Sequence, residues 1–587
     1  MENVKNLLHA YLGLIFKAGV VIVILSTLFL FTNLTTEFYD TPKFLGLLIF
    51  TAILLILLTL SYTIKGKVVF VRTPLDIPLL LLLAVGVVST VLSASPYVAL
   101  LGNQLKIHGS LVSLIVYILF YFVLVNSLKN SKEVKWILYF TLVAAQVLSA
   151  ISILAFFGVK LLPPPWTYGI NFTPTGSSFS TTAILVLLIP FVISRIFSET
   201  KLPAKAINGL FLALMGVTIT LTGSWPIWIV ATLAFLATFI LENPIKDVSK
   251  LFQTNPINLI SVAAPLVLVI LVAVLSFVPP IGGAKNPIYT QAQNLPRELQ
   301  QDFVSSWKVS VSAFRDMPFW GTGPSTYLFN FTNYKPIEFN QSKTWNLRFD
   351  SSFNEYMQVL ATLGGVGLLA LLSLTALFIS STFAVLKHPT TDSLKKSLAI
   401  SGLAFFLILA LHPSTLVLWV IGILILASFY VINTSDNFQR NWTTTGDIKN
   451  TFFRLASNIS SVQSSQETIR IDALPSILLT VVVGLTLAGL FFGGKLTLAD
   501  YHHRQALNAV AQNNGILAYN ELVAAEKWNS SNDLYHTDLA QVNFALANAI
   551  ASAKAPTEAS PTGSLTDQDK QNIQVLLQQS INEGKLG

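Results

Sequence analysis

Apolar runs of about 20 residues recur along this chain, and they leave few folds open. Lipid offers no hydrogen-bond partners, so a spanning segment must satisfy its own backbone. Barrel strands are half that length and alternate polar with apolar residues, whereas these runs are continuously apolar. Helices remain. The chain is 53% hydrophobic and 11% charged, where an ordinary soluble domain is about 25% charged. The expected class is an all-α polytopic membrane protein with about thirteen spans, twelve in a core and one additional. Their centres fall near Val21, Leu54, Ala84, Tyr117, Val147, Val186, Leu214, Thr232, Val267, Leu369, Leu407, Ile423 and Val483. The first run, near Ala10–Phe31, lacks a small-residue cleavage site and reads as a retained span. The absence of cysteine excludes disulfides, thiolate metal sites and cysteine nucleophiles.

The net charge of +8 is no nucleic-acid signal, because the cations sit in short loops between spans. Their alternation orients the chain. One set of loops carries Lys65, Lys67 and Arg72; Lys129, Lys132 and Lys135; Arg195, Lys201 and Lys205; Lys246 and Lys250; and Lys387, Lys395 and Lys396. The intervening short loops carry Lys43, Lys106 and Lys160. A cytoplasmic N-terminus follows. The long segment 279–356 then lies outside and, with an odd number of spans, so does the C-terminal tail.

The expected organisation is a membrane core at 1–432, a polar cytoplasmic linker at 433–474, an additional span at 475–494 and an outer helical tail at 495–587. In the tail, Tyr501 and Tyr535 open two amphipathic segments 34 residues apart. That is the tetratricopeptide period, and the segments resemble such a repeat. Asn514-Gly515 divides the first unit into two helices, and a last helix is expected near Gln571–Glu583. The resemblance implies a small module that binds a protein partner or another copy. His502 and His503 are adjacent, so on a helix they diverge. No metal site and no cofactor are expected.

A long loop without a role is uncommon. The outer one has an amphipathic helix with Phe303, Trp307, Val311 and Phe314 spaced to face membrane or core, ending at Pro318. Gly321-Thr322-Gly323-Pro324 then makes a tight turn, with Gly321, Gly323 and Pro324 shaping the backbone. Asn354-Glu355-Tyr356 leads into the next span.

A helix with tryptophan, then "P-x-x-G-x-G-P", then an "N-E-Y" group before "G-x-x-G", resembles the O-antigen ligase superfamily. "SASPYVALLGNQLKIHG", "PTGSS" and "LTGSWPIW" agree, and the resemblance covers about Leu75 to Val431. It implies transfer of a glycan from a polyprenyl-diphosphate carrier to a lipid, glycan or protein acceptor at the outer face of a bacterial plasma membrane. The partners implied are the lipid-linked glycan and membrane lipids, with no nucleic acid. Such chemistry asks for cations on the diphosphate and a base for the acceptor hydroxyl. At three positions the chain departs from the family. Phe353 stands where relatives carry the histidine favoured as base, and Trp225 and Phe303 stand where they often carry arginine.

The candidate bases are therefore Glu355 and His108. Glu355 alternatively serves the N-terminus of the tenth span, where its charge suits the helix dipole. Asn354 is either a substrate ligand or an N-cap. For the diphosphate, Arg315 and Arg348 rank first by proximity to the motifs, followed by Arg297, Lys308, Lys343 and Lys106. His412-Pro413 reads as a helix end. One cavity is expected to unite Arg315, Arg348 and Glu355. The alternative function is a catalytically inactive relative that binds lipid-linked glycan or envelope proteins as an assembly factor. Clustered cations with a base favour the enzyme, whereas an aromatic groove alone favours the binder. The scarcity of ionisable residues inside the spans argues against a transporter.

Overall fold

The computed structural model describes residues 2–66, 68–102, 106–163, 169–242, 256–280, 285–387, 392–434, 445–447, 474–554 and 565–587. Lys67, Lys246 and Lys250 of the charge pattern, and nearly all of the linker 433–474, lie outside the described residues. The chain is an all-α polytopic membrane protein. Eleven helices among the described residues are long and apolar enough to cross a membrane, and two shorter apolar helices join them. Each of the thirteen expected centres falls inside one of these.

In chain order the elements begin with α1 (Glu2–Phe29), α2 (Asp40–Lys65), α3 (Asp76–Leu92), the short α4 (Pro96–Leu101) and α5 (Leu111–Ser127). There follow α6 (Ser131–Phe156), α7 (Ser178–Ser198), α8 (Leu202–Thr222), α9 (Trp225–Glu242) and α10 (Pro256–Phe277). The segment between α10 and the next span holds α11 (Pro287–Asn294), α12 (Phe303–Asp316) and α13 (Tyr327–Tyr334). The last spans of the core are α14 (Glu355–Leu386), α15 (Ser393–Leu411) and α16 (Leu416–Thr434). Then come α17 (Leu474–Ala511), α18 (Gly515–Trp528), α19 (Asp533–Ala553) and α20 (Asp567–Leu586). Among the described residues, a short antiparallel strand pairing joins Val69–Val71 with Thr445–Asp447.

The chain divides into two compact units. The first comprises Met1–Phe31, Lys43–Asn103 and Ile107–Val482, and the second Thr32–Pro42, Gln104–Lys106 and Val483–Gly587. In the first, α7 and α16 form the centre and are buried over almost their whole length. That is why they are apolar on every face.

α14 is broken at Gly364, whose φ of 68° leaves the helical region. The outer turn fills the break. The Gly323 amide donates to the Thr362 carbonyl at 2.9 Å, and the Gly365 amide donates to the Pro318 carbonyl at 2.8 Å. Weaker bonds from Thr322 to Ala361 and from Val366 to Phe319, each 3.3 Å, flank them. α3 completes the clasp, with Ser89 Oγ donating to Thr362 O and Ser93 Oγ to Thr322 O. The loop thus supplies partners that the broken helix lost, which lipid cannot. Only glycine fits at the crossing. A Cβ on Gly321 would sit 2.4 Å from the Thr362 carbonyl, and one on Gly364 2.6 Å from the Gly321 nitrogen.

α12 ends at Asp316, just before the expected Pro318. Its buried face is Ser306, Val309, Ser310 and Ala313, small enough for close approach to α14. Phe303 and Trp307 are exposed, so this aromatic edge faces away from the core.

In the second unit α18, α19 and α20 form where helices are expected, with Asn514 as the N-cap of α18. Ala499, Ala525 and Tyr535, and next to them Ala506, Leu522 and Leu539, make its apolar contacts. The expected division after Gly494 is not a helix end: α17 runs unbroken from Leu474 to Ala511. Gly493 and Gly494 cost about 1 kcal/mol each in a helix, but no proline or cap accompanies them until Asn513 turns into the left-handed region.

Gly321→Ala and Gly364→Ala should each lower stability by about 2 kcal/mol or more, combining left-handed strain with a backbone clash. Gly66→Ala, also at positive φ but with open space around its Cβ, should cost about 1–2 kcal/mol. Thermal unfolding of the three variants in one detergent checks the order.

Candidate functional site

The entrance to α14 is fixed from both sides. Asn354 is its N-cap, accepting from the Met357 amide at 2.9 Å, while Asn354 Nδ2 donates to the Ala410 carbonyl at 2.9 Å near the end of α15. Gln300 Nε2 bridges the Phe353 and Leu411 carbonyls at 2.6 and 3.0 Å. The Phe353 amide donates to Ser306 Oγ on α12 at 2.7 Å. Two chain segments, 353–355 and 411–414, are thereby laid side by side, and a cavity opens on either side of them.

The first cavity, of about 360 Å³, is lined by Trp225, Trp228, Arg297, Phe353 and His412, with the polar stretch from Glu298 to Asp302 at its edge. Arg297 Nη1 donates to the Gly223 carbonyl at 3.0 Å, and its guanidinium lies 5.1 Å from the Trp228 ring. Burial pushes this guanidinium below its ordinary pKa. It remains a cation, and the residue as a whole is exposed, so water still reaches part of it. The nearby carboxylates have structural partners. Glu298 accepts from the Phe179 amide and Asp302 caps α12 through the Ser305 amide. His412 Nδ1 bonds its own Pro413 carbonyl at 2.8 Å, and the ring stacks on Phe179 with centroids 3.5 Å apart.

Phe353, Trp225 and Phe303 meet here. Phe303 packs edge-on to Phe353 at 5.4 Å, and Phe353 stacks on Trp225 at 6.4 Å. The three departures from the resemblance are therefore one aromatic cluster at one place.

The second cavity, about 100 Å³ and more enclosed, is lined by both candidate bases, His108 and Glu355, together with Gln358, Pro324 and Ser325. Ser414 ties the two bases together. Its amide donates to Glu355 Oε2 at 2.9 Å, and its hydroxyl lies 3.0 Å from His108 Nε2. His108 Nδ1 bonds the Tyr117 hydroxyl at 2.8 Å. Pro324 and Ser325 belong to the clasp turn, so the loop that mends α14 also walls this cavity.

A third feature is an apolar groove of about 410 Å³ between α8, α9 and α10, lined by Leu212, Ile219, Phe235, Val269 and Phe277 among others. Trp228 lines both this groove and the Arg297 cavity.

Among the described residues, neither of these two cavities nor the groove is lined by Arg315 or Arg348, so none unites them with Glu355. Arg315 and Arg348 are exposed and line neither chamber, as is Lys343. Lys308 pairs with Glu338 at 3.1 Å on the surface. Lys106 belongs to the second unit. Of the expected cations, Arg297 is the one that enters a cavity of the first unit among those described. His412, Trp228, Gln300 and Ser414 were not singled out as site residues. The signal for two of them was the polar "HPST" turn between two apolar spans.

No curated protein matches the chain. Residues 210–372, which run from α8 through the aromatic cluster and the clasp into α14, match the family model described as O-antigen ligase. The match covers that part of the chain and supports the resemblance to the O-antigen ligase superfamily.

Proposed function

We propose that the chain transfers a glycan from a polyprenyl-diphosphate carrier to an acceptor hydroxyl at the outer face of the plasma membrane of a bacterium. A membrane glycan ligase- or polymerase-like role is what the O-antigen ligase match supports. The observation that carries the finer reading is the meeting of an apolar groove and the Arg297 guanidinium at Trp228. This is the shape and polarity of an amphiphile with an isoprenoid chain and an anionic head. In the reaction the acceptor oxygen bonds the anomeric carbon, the bond from that carbon to the diphosphate oxygen breaks, and the carrier diphosphate leaves. The acceptor proton goes to a base. Arg297 holds the diphosphate, and Glu355 takes the proton, with His108 beside it through Ser414.

The cation alternation supports a cytoplasmic N-terminus, with the outer segment and α18–α20 outside. The tail helices then form a repeat-like module for a protein partner or a second copy. One observation favours the alternative of an inactive relative that binds lipid-linked glycan. The Phe303–Phe353–Trp225 cluster occupies the positions where relatives carry a base and cations.

The test is transfer and donor binding by the purified chain in lipid, given a polyprenyl-diphosphate oligosaccharide. Arg297→Ala should weaken donor binding at least tenfold. Glu355→Gln should lower transfer by about 10²–10⁴ with donor binding nearly unchanged. Donor binding without transfer, indifferent to Glu355→Gln, would support the binder, and neither binding nor transfer would overturn both readings.

Trp228 gives a second prediction. Shortening the isoprenoid chain should weaken binding to the wild type but have much less effect on Trp228→Ala. Equal chain-length dependence in both proteins would dissociate the groove from the donor.

A further inference from the structure

Three side chains from three different helices converge in the second unit. Glu526 lies near the end of α18, His536 in the first turn of α19 and Glu583 in the last turn of α20. One donor atom from each lies within 4.8 Å of the other two. His536 is buried, at 5% exposure. Its Nε2 lies 2.9 Å from the Ser530 carbonyl oxygen, a group that only accepts, so this nitrogen carries the proton. Nδ1 then faces a Glu583 carboxylate oxygen at 2.7 Å. Two lone pairs do not approach so closely without a positive centre between them.

A proton on Nδ1 supplies one positive charge against two carboxylates. A divalent ion with neutral imidazole balances both. Metal-bound histidines characteristically give their other N–H to a carbonyl or carboxylate, which fixes the ring and the tautomer. Ser530 has that place here. One nitrogen and two carboxylate oxygens, with water as a fourth ligand, suit zinc. Bonds of about 2.0–2.2 Å place tetrahedral ligands about 3.3 Å apart, so Nδ1 and the Glu583 oxygen need part by only about half an ångström.

The fold also has a use for such a tie. α20 packs along α19, yet none of its residues is buried. Val575, Ile581 and Leu586 stay exposed, and polar contacts such as Ser580 Oγ to the Ala540 carbonyl (2.8 Å) hold it. Hydrophobic burial is therefore a weak anchor for this helix. We propose that Glu526, His536 and Glu583 form a zinc site that fastens α20 to α18 and α19. The site is independent of the glycan-transfer reading.

The experiment uses the full chain in detergent, free of any polyhistidine tag and stripped with chelator. Zinc is titrated by calorimetry, and cobalt(II) is added separately to read coordination from its visible absorption. One equivalent of zinc should bind, with a tetrahedral cobalt spectrum and slower amide exchange across α20. Glu526→Gln and Glu583→Gln should each weaken binding at least tenfold. His536→Gln should abolish it, and His502→Gln should leave it unchanged. Glu526 is only partly buried, so its variant keeps the test valid if His536→Gln disturbs the fold. Absence of stoichiometric binding, or binding that survives both Glu526→Gln and His536→Gln, would overturn the site. Tightening of α20 on acidification with no response to zinc would overturn it too, by assigning the tie to a proton.

Discussion

A membrane helix broken in mid-course has amides and carbonyls that lipid cannot satisfy. In α14 the break at Gly364 is mended by the backbone of the turn after α12, Pro318–Gly323, and by two serines of α3. This exchange explains much of the first unit. It requires glycine at 321 and 364, because two backbones cross there with no room for a Cβ. It fixes the middle of the long segment between α10 and α14, while Asn354, Gln300 and Ser306 fix its end. A loop held this way behaves as part of the scaffold, and a site built on it is preorganised.

The two chambers follow from that scaffold. The chain alternates across the fixed strip, so that Phe353 and His412 face the larger chamber, while Glu355, with Ser414 bonded to it, serves the smaller one. The chemistry is thereby partitioned. Arg297 and the aromatic rings lie on one side, and the titratable pair His108 and Glu355 on the other. On the proposed function, with Glu355 as base and Arg297 on the diphosphate, the strip between the chambers is where acceptor and donor would meet.

The sequence foretold the spans well, because a continuous apolar run has one solution in lipid. It also foretold the turn glycines and Asn354 at the mouth of α14, since these are local requirements of backbone geometry. What it did not reveal is long-range. Gly364 belongs to the "G-x-x-G" of an apolar span, which does not by itself announce a break, and its partner turn lies far back in the preceding loop. Arg315 ranked above Arg297 by nearness to the motifs, but α12 leaves Arg315 exposed at its end, whereas Arg297, exposed as well, lies against Trp228 and lines a cavity. The departures at Trp225, Phe303 and Phe353 looked like three separate losses along the chain, and only folding gathers them into one cluster. Glu526, His536 and Glu583 are likewise scattered in sequence. Gly493 and Gly494 did not end the helix that contains them, because two glycines weaken a helix without ending it.

The clasp is the claim on which the rest depends, and amide hydrogen exchange of the intact chain in detergent tests it most directly. The account predicts that the amides of Gly323 and Gly365 exchange as slowly as those in the middle of α14, and that Gly321→Ala releases both together. Exchange of these amides at the rate of an exposed loop in the unaltered protein would contradict it, and with it the placing of both chambers.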